Sequence, residues 1–239
     1  MQVIVELMNK IVVVDFSGTL VKPFVAEQAN LKRYDLLGIP RPSLKDQKKH
    51  HATKEHYDII KEFIEKQFGI SNDMKINFRN NYAKEVSLSG KDIKTMIMTD
   101  LFRNSMYLVA VENKLNIYAD GILDALNSIQ KKGYKLAIVS GIRTDIITGI
   151  FEITNCPVKF DYIYGQDPVL SRDSNETLNN ELSKEGKICY LIGDKLSDLE
   201  PAKKLKAKTI FVKWGHSSGG EEDFADYSIN KAEELNKII

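Results

Sequence analysis

The chain is poor in cysteine and has no long uninterrupted apolar run. Its 239 residues include only two cysteines, Cys156 and Cys189, which are far apart in the sequence. Two distant cysteines do not form a disulfide framework, so we expect buried, reduced thiols and a cytoplasmic location. No apolar stretch approaches the ~18 residues of a membrane-spanning helix, and the first ten residues have no signal-like pattern.

The sequence also lacks an excess of positive or of negative charge. The sequence has 34 Lys and Arg against 33 Asp and Glu, which gives a formal net charge of +1. A nearly neutral chain lacks the basic excess that binding to nucleic acid or to another polyanion favours. We therefore expect neither nucleic acid nor a membrane as a partner, and we expect a monomer or a homodimer.

Short apolar runs alternate with helical patterns through much of the chain. The runs that predict buried strands are Ile11–Val14, Leu136–Val139, Ile188–Ile192 and Thr209–Val212. The patterns that predict helices between the later runs are Asp120–Lys132, Thr144–Ile153 and Leu199–Leu205. Strands that alternate with helices favour an α/β fold, with a Rossmann-like parallel sheet flanked by helices.

About a hundred residues of different character separate the first predicted strand from the second. Apolar residues recur at helical spacing from Ser43 to Gly69 and again from Ser89 to Lys114, without convincing strand alternation. We predict an inserted α-helical domain over residues 21–118. The α/β core domain would then consist of residues 1–20 and 119–239.

Polar residues follow three of the predicted strands. The segment Asp15-Phe16-Ser17-Gly18-Thr19 follows the first strand, and Ser140-Gly141 ends the second. Asp194 ends the third strand, and Asp198 comes four residues later. Because the carboxyl ends of parallel strands meet at one edge of a sheet, we expect these side chains to converge on one site.

These segments resemble the motifs of the haloacid dehalogenase-like hydrolases, and particularly their phosphoglycolate-phosphatase-like members. The usual first motif of that family is Asp-x-Asp-Gly-Thr, and the resemblance continues to Phe211-Val212-Lys213-Trp214-Gly215 near the end of the chain. The predicted insertion matches the place where such members carry a helical cap. The resemblance implies a magnesium-dependent phosphatase that hydrolyses a small phosphorylated metabolite.

The resemblance also implies a role for each matching residue. Asp15 would attack phosphorus and form an aspartyl-phosphate. Mg²⁺ prefers oxygen ligands, and it would be held by Asp15, Asp194, Asp198 and the backbone carbonyl of Ser17. The phosphoryl oxygens would be bound by Gly18, Thr19, Ser140 and Gly141.

Two positions depart from the family pattern. Ser17 stands where most family phosphatases carry a second Asp, which serves as the general acid and base. Serine has no comparable acidity, and proton transfer is typically worth ~10²–10⁴ in rate, so we expect slower hydrolysis. The usual lysine of the third motif is missing, and the family spacing arrives at Arg172, which would supply the catalytic positive charge; Lys184 and Lys187 are alternatives.

These departures keep other functions open. One is a phosphonate hydrolase or another bond cleavage of this family, and the phosphonate reaction would need an essential lysine in the inserted domain. Another is a phosphate-binding protein with impaired turnover. The basic cluster of the inserted domain, which we interpret mainly as a solvated helix face, comprises Lys48, Lys49, His50, His51, Lys54 and His56. Arg143 and His216 lie near the motifs and are interpreted as residues outside the chemistry.

Overall fold

A computed structural model describes residues 9–41, 54–79, 85–165, 175–217 and 219–239. The chain divides into two compact units. The first unit comprises the described residues through Ala26 together with Tyr107–Ile239, and the second comprises Glu27–Met106. In the described part of the chain, no helix has the length and apolar character that crossing a bilayer requires.

Eight strands lie within the described ranges. They are β1 (Lys10–Val14), β2 (Lys75–Arg79), β3 (Glu85–Ser89), β4 (Lys135–Ser140), β5 (Tyr162–Gly165), β6 (Lys187–Gly193), β7 (Lys208–Val212) and β8 (Tyr227–Ile229). The α-helices are α1 (Pro23–Leu37), α2 (Lys54–Phe68), α3 (Gly90–Asn113), α4 (Ile122–Lys131), α5 (Thr144–Thr154), α6 (Asn175–Leu182), α7 (Leu196–Leu199), α8 (Pro201–Leu205), α9 (Glu221–Phe224) and α10 (Leu235–Ile238). Single 3₁₀ turns occupy Lys114–Ile117 and Ala232–Glu234.

The first unit is built on a six-stranded sheet in the order β5-β4-β1-β6-β7-β8, in which every neighbouring pair is parallel. This confirms the predicted Rossmann-like α/β fold. The chain runs outward from β1 through β4 to β5, and then returns to β6 on the other side of β1. Such a reversal of strand order creates the crevice at which open α/β sheets bind ligands.

The strands are apolar on both faces, as expected for a parallel sheet covered by helices. The four residues after Lys10 in β1 are at most 4% exposed. Alternate strand residues point to the same face, and one face packs against α6 and α8. The buried cluster on that face consists of Ile11, Val13, Ala137, Val139, Leu182, Ile188, Leu191 and Ala202.

The second unit has its own apolar core. Tyr34 of α1, Ile60 and Ile64 of α2, and Met98 of α3 form a buried cluster. Ile60 and Ile64 are four residues apart and therefore share one face of α2. This core is supplied by helices, as the helical spacing of the sequence predicts.

The second unit also contains a β-hairpin that the sequence interpretation missed. Strands β2 and β3 pair antiparallel, with Lys75 opposite Ser89 and Arg79 opposite Glu85. Each strand has five residues, too few for a period-2 pattern to stand out beside two long helical patterns. The prediction that this region lacks strands is therefore wrong for Lys75–Arg79 and Glu85–Ser89.

The start and end of the predicted helices are explained by local chemistry. Helix α3 begins after Ser89, whose hydroxyl accepts a hydrogen bond from the Asp92 amide at 3.2 Å, while Oδ2 of Asp92 accepts from the Ser89 amide. This reciprocal pair is a capping box. The predicted helix Leu199–Leu205 is observed as α8, which begins two residues later at Pro201. Pro201 has no N–H with which to continue a helix from α7, so α7 ends at Leu199 and α8 begins at the proline.

Candidate active site

Three strand ends deliver polar side chains to one edge of the sheet. Asp15 directly follows β1, Ser140 ends β4, and Asp194 directly follows β6. Because β1 lies between β4 and β6 in the sheet, these three positions are neighbours. The amide of Asp15 still donates to the carbonyl of Ile192 at 2.9 Å, so the ladder continues to the site.

The segment after β1 folds back on itself in a tight turn. The Gly18 amide donates to the Val21 carbonyl at 2.8 Å, and the Val21 amide donates to the Phe16 carbonyl at 2.8 Å. Gly18 has a φ of +96°, a conformation that favours glycine. The Phe16 ring is fully buried and meets the Phe151 ring edge-on, so the turn is anchored in the core.

Asp15, Asp194 and Asp198 form a cluster of carboxylates. One oxygen from each lies within 4.8 Å of the others. Asp15 is 9% exposed and Asp194 is fully buried. Oδ2 of Asp15 and Oδ1 of Asp194 are buried and have no hydrogen-bond partner among the described residues. Buried anionic oxygens without donors are costly, and a divalent cation with oxygen ligands is the group that would satisfy them.

The pKa values of Asp15 and Asp198 reflect the crowding of these buried carboxylates. Burial, followed by the neighbouring charges of Asp198 and Asp194, raises the pKa of Asp15 well above its usual range. Burial and the charge of Asp194 raise the pKa of Asp198 to about 6. Lys195 opposes both shifts without cancelling them. Paired carboxylates of this kind hold protons unless a positive charge is bound beside them.

Glycines line the approach to the carboxylates. A β-carbon on Gly18 would lie 2.2 Å from Oδ2 of Asp194, and one on Gly215 would lie 2.1 Å from Cβ of Asp194. A β-carbon on Gly193 would lie 2.5 Å from Cβ of Asp198. These distances are shorter than any real contact of a β-carbon, so the backbone at all three glycines packs directly against the carboxylate side chains.

The loop after β7 completes the site, which the sequence interpretation did not anticipate. The Trp214 indole N–H donates to the Thr19 carbonyl at 3.0 Å, and the His216 amide donates to Oδ2 of Asp194 at 2.5 Å. The His216 ring reaches Gly18, with Cδ2 3.0 Å from the place of a β-carbon there. His216 therefore lies within the site rather than outside it. The available signal was a glycine between two large side chains, Trp214 and His216, one residue after a buried strand.

The predicted phosphate-binding residues occupy the same edge. Thr19 is fully buried, and its hydroxyl has no partner among the described residues. Ser140 is 2% exposed, and its hydroxyl accepts a hydrogen bond from the Ile142 amide at 3.2 Å. Gly141 is exposed beyond the end of β4. The hydroxyl of Ser140 thus accepts from the chain and keeps its own proton to donate.

The candidates for the third-motif cation have different outcomes. Arg172 lies outside the described residues. Lys187 is the first residue of β6. Lys184 lies three residues before it and forms an ion pair with Glu181, so both lysines lie at the amino end of the strand. A seven-residue strand spans roughly 20 Å, so neither lysine is beside Asp194. Arg143 pairs with Asp145 at 2.5 Å.

The basic cluster of the second unit is described only in part. Its first residues, Lys48 to His51, lie outside the described ranges. Lys54 and His56 lie in the first turn of α2. The possibility of an essential lysine in this cluster stays a prediction.

Comparison with known proteins agrees with the fold and shows the family. A sequence profile of the haloacid dehalogenase-like hydrolase family matches residues 12–212, a range that includes Asp15, Ser140, Asp194 and Asp198. The chain belongs to this family of hydrolases.

Individual relatives support the same assignment. The chain is 26% identical over 118 residues to the phosphoglycolate phosphatase of Aquifex aeolicus; the match covers 48% of this chain and 55% of the relative, about half its length. A predicted phosphatase from Clostridium acetobutylicum has 19% identity and a TM-score of 0.64, with 97% and 98% of the two chains covered. The HAD-hydrolase YfnB from Bacillus subtilis, bound to magnesium, has 15% identity and a TM-score of 0.62, with 97% and 98% covered. At these identities the structures show a shared fold.

Proposed function

We propose that this protein is a magnesium-dependent phosphatase that hydrolyses a small phosphorylated metabolite through an aspartyl-phosphate on Asp15. The observation that supports this most is the cluster of Asp15, Asp194 and Asp198, with buried oxygens that lack donors at the carboxyl edge of the sheet. The name of the Aquifex aeolicus relative supports the choice of a phosphate ester as substrate.

The metal would be held by Asp15, Asp194, Asp198 and the backbone carbonyl of Ser17. When bound, it would offset the charge that raises the pKa of Asp15 and would neutralise charge on the phosphoryl oxygens. Asp15 must be ionised to attack, so its raised pKa makes a nearby positive charge a condition of the reaction.

The other residues of the site would position the phosphoryl group. In-line attack by Asp15 requires the phosphorus to lie opposite the leaving oxygen. The backbone amides near Gly18, the hydroxyls of Thr19 and Ser140, and the amide of Gly141 are donors for the equatorial oxygens. Donors fixed by a tight turn and by strand ends need little reorganisation during the reaction, which is the basis of their catalytic value.

Ser17 limits the rate in this proposal. The leaving oxygen needs a proton, and the water that attacks the aspartyl-phosphate must lose one. Ser17 cannot serve as an acid or base of comparable strength, so we expect faster turnover with leaving groups that need no proton. The positive charge beside the phosphate is assigned to Arg172, because Lys184 and Lys187 lie at the other end of β6.

We also assign the role of a cap to the inserted region, which the sequence places at residues 21–118. A cap that closes over the site excludes water until the substrate is bound, and this favours small substrates. The second unit, Glu27–Met106, would then supply the residues that select the substrate.

The test is phosphate release from an aryl phosphate and from a panel of sugar and acid phosphates, with magnesium or with a chelator. Wild type is compared with Asp15→Asn and with Asp120→Asn, which makes the same change at an exposed aspartate paired with Lys22. Release that requires both magnesium and Asp15 supports the proposal. Binding of phosphate without release would favour the alternative of a binding protein with impaired turnover, and release from phosphonates alone would favour the phosphonate hydrolase.

A further inference from the structure

The loop between β7 and α9 contacts the carboxylate cluster from the β7 side of the sheet. We define the β7–α9 loop as residues 213–217 and 219–220. Through the Trp214 indole and the His216 amide, this loop bonds to the turn after β1 and to Asp194. The contact at Gly215, where a β-carbon would overlap Asp194, leaves the loop almost no freedom to shift while Asp194 keeps its place.

A buried carboxylate secures the far end of this loop. Glu221 is 1% exposed, although it lies in a loop-rich part of the chain. Its Oε2 accepts hydrogen bonds from the Ser217 hydroxyl at 2.7 Å and from the Gly219 amide at 2.8 Å. The adjacent Glu222 is exposed and pairs with Lys213 instead.

We propose that Glu221 is a positioning residue for the metal site, which fixes the β7–α9 loop so that the His216 amide orients the carboxylate of Asp194. This inference rests on the proposed function, because it requires a cation at the cluster of aspartates. Glu221 itself binds no metal in this proposal. It acts through Ser217 and Gly219 on the path of the loop.

The two oxygens of Asp194 have different surroundings. Oδ2 accepts from the His216 amide, which leaves Oδ1 as the buried oxygen without a partner among the described residues. Hydrogen bonds from outside a metal site orient its ligands, and their loss typically weakens metal binding ~10–100-fold. If the loop loses its anchor, the amide of His216 moves and Asp194 can rotate away from the orientation that presents Oδ1.

The variants distinguish the effect of the Glu221 charge from the effect of its hydrogen bonds. Glu221→Gln removes the charge but keeps an amide oxygen that can accept from both Ser217 and Gly219. Glu221→Ala removes the acceptor. Asp223→Ala removes an exposed carboxylate two residues away and serves as the control. Ser217→Ala removes one of the two donors at little cost in volume, so it provides a second test if Glu221→Ala does not fold.

Magnesium affinity of the full chain, measured by titration calorimetry, is the primary measurement. We expect Glu221→Ala to bind magnesium about tenfold more weakly than wild type, with Glu221→Gln and Asp223→Ala close to wild type. Phosphatase assays provide a second measurement. The loss of activity in Glu221→Ala should shrink as magnesium is raised to saturation, whereas a general loss of folding would not be reversed in this way.

The outcomes distinguish this inference from the proposed function. A folded Glu221→Ala protein that binds magnesium as tightly as wild type would overturn the inference and leave the phosphatase proposal intact. If Glu221→Ala does not fold, unchanged affinity in Ser217→Ala has the same meaning. Wild-type protein that binds no magnesium would overturn the proposed function and this inference together.

Discussion

Gly18 and Asp194 approach so closely that a β-carbon on the glycine would lie 2.2 Å from Oδ2 of the carboxylate. The glycine belongs to the turn after β1, and the carboxylate follows β6. The site therefore depends on a contact between two strand ends that only a residue without a side chain permits. This contact holds Asp194 close to Asp15, the proposed nucleophile.

The first prediction concerns this contact. Gly18→Ala should lower the phosphatase rate by about 10²-fold, because the new methyl group displaces Asp194 and misplaced catalytic groups typically cost that much. It should also cost about 1–2 kcal/mol in unfolding free energy, since an L-residue at positive φ is strained. Rates and urea denaturation measure the two effects.

Gly133→Ala is the matched control. Gly133 has a φ of +89°, close to that of Gly18, but a β-carbon there would meet nothing within 4 Å. We expect a loss of stability of about 1–2 kcal/mol from the positive φ alone, together with full activity. Equal activity in the two alanine variants would contradict the importance of the contact.

The second prediction concerns the missing acid and base. Ser17→Asp should raise the rate of phosphate release at least tenfold, out of the ~10²–10⁴ that a positioned proton donor contributes. The gain should be largest for poor leaving groups such as sugar phosphates. Ser17→Asn has nearly the same shape as the aspartate and no acidity, so it should give no gain. A rise in both variants would show that shape rather than proton transfer limits turnover.

The third prediction follows from the raised pKa values of Asp15 and Asp198. Between about pH 4 and pH 6, Asp198 stays protonated in the folded protein but ionises when the chain unfolds. The unfolded chain then binds fewer protons, so the stability of the metal-free protein should fall as pH rises through this range, by the order of 1–3 kcal/mol. Magnesium should raise the melting temperature most above pH 6. Thermal melts across pH, with and without magnesium, measure both effects.

Removal of the Asp198 carboxyl provides the control for that titration. Asp198→Asn should reduce the fall in stability with pH, because an amide does not ionise in this pH range. Asp223→Asn changes an exposed aspartate and should keep the wild-type slope. A wild-type slope in Asp198→Asn would show that other groups cause the pH dependence.

The fourth prediction concerns the positive charge of the third motif. Arg172→Ala should lower kcat by ~10²–10³, the usual cost of removing one group that stabilises developing charge. Lys187→Ala should leave the rate unchanged, because Lys187 lies at the amino end of β6. Steady-state kinetics on the best substrate measure both. Full activity in Arg172→Ala would remove this residue from the mechanism.

The sequence predicted the elements that depend on buried strands. The runs at Ile11–Val14 and Ile188–Ile192 are apolar on both faces, and a carboxylate follows each strand. This one pattern predicts the two strands, the parallel type of the sheet and the edge at which the site lies. Asp15 and Asp194 were found in this way. Their convergence needs only parallel strands that are neighbours in the sheet.

The features that the sequence did not predict depend on contacts between distant segments. Trp214 and Thr19 are 195 residues apart, and no periodic pattern marks their hydrogen bond. His216 was interpreted as lying outside the chemistry for the same reason. Lys184 and Lys187 could be judged only once the extent and direction of β6 were known, because the strand places Lys187 and Asp194 at its opposite ends.

The central claim is that Asp15 carries the phosphoryl group. The most direct measurement is mass spectrometry of the acid-quenched protein after mixing with magnesium and an aryl phosphate, followed by mapping of the peptide that contains Asp15. The proposal predicts one added phosphoryl group on Asp15, in an amount that falls in Ser17→Asp, where hydrolysis of the intermediate is faster. Phosphate release without any phosphoryl group on Asp15, or with that group on another residue, would contradict it.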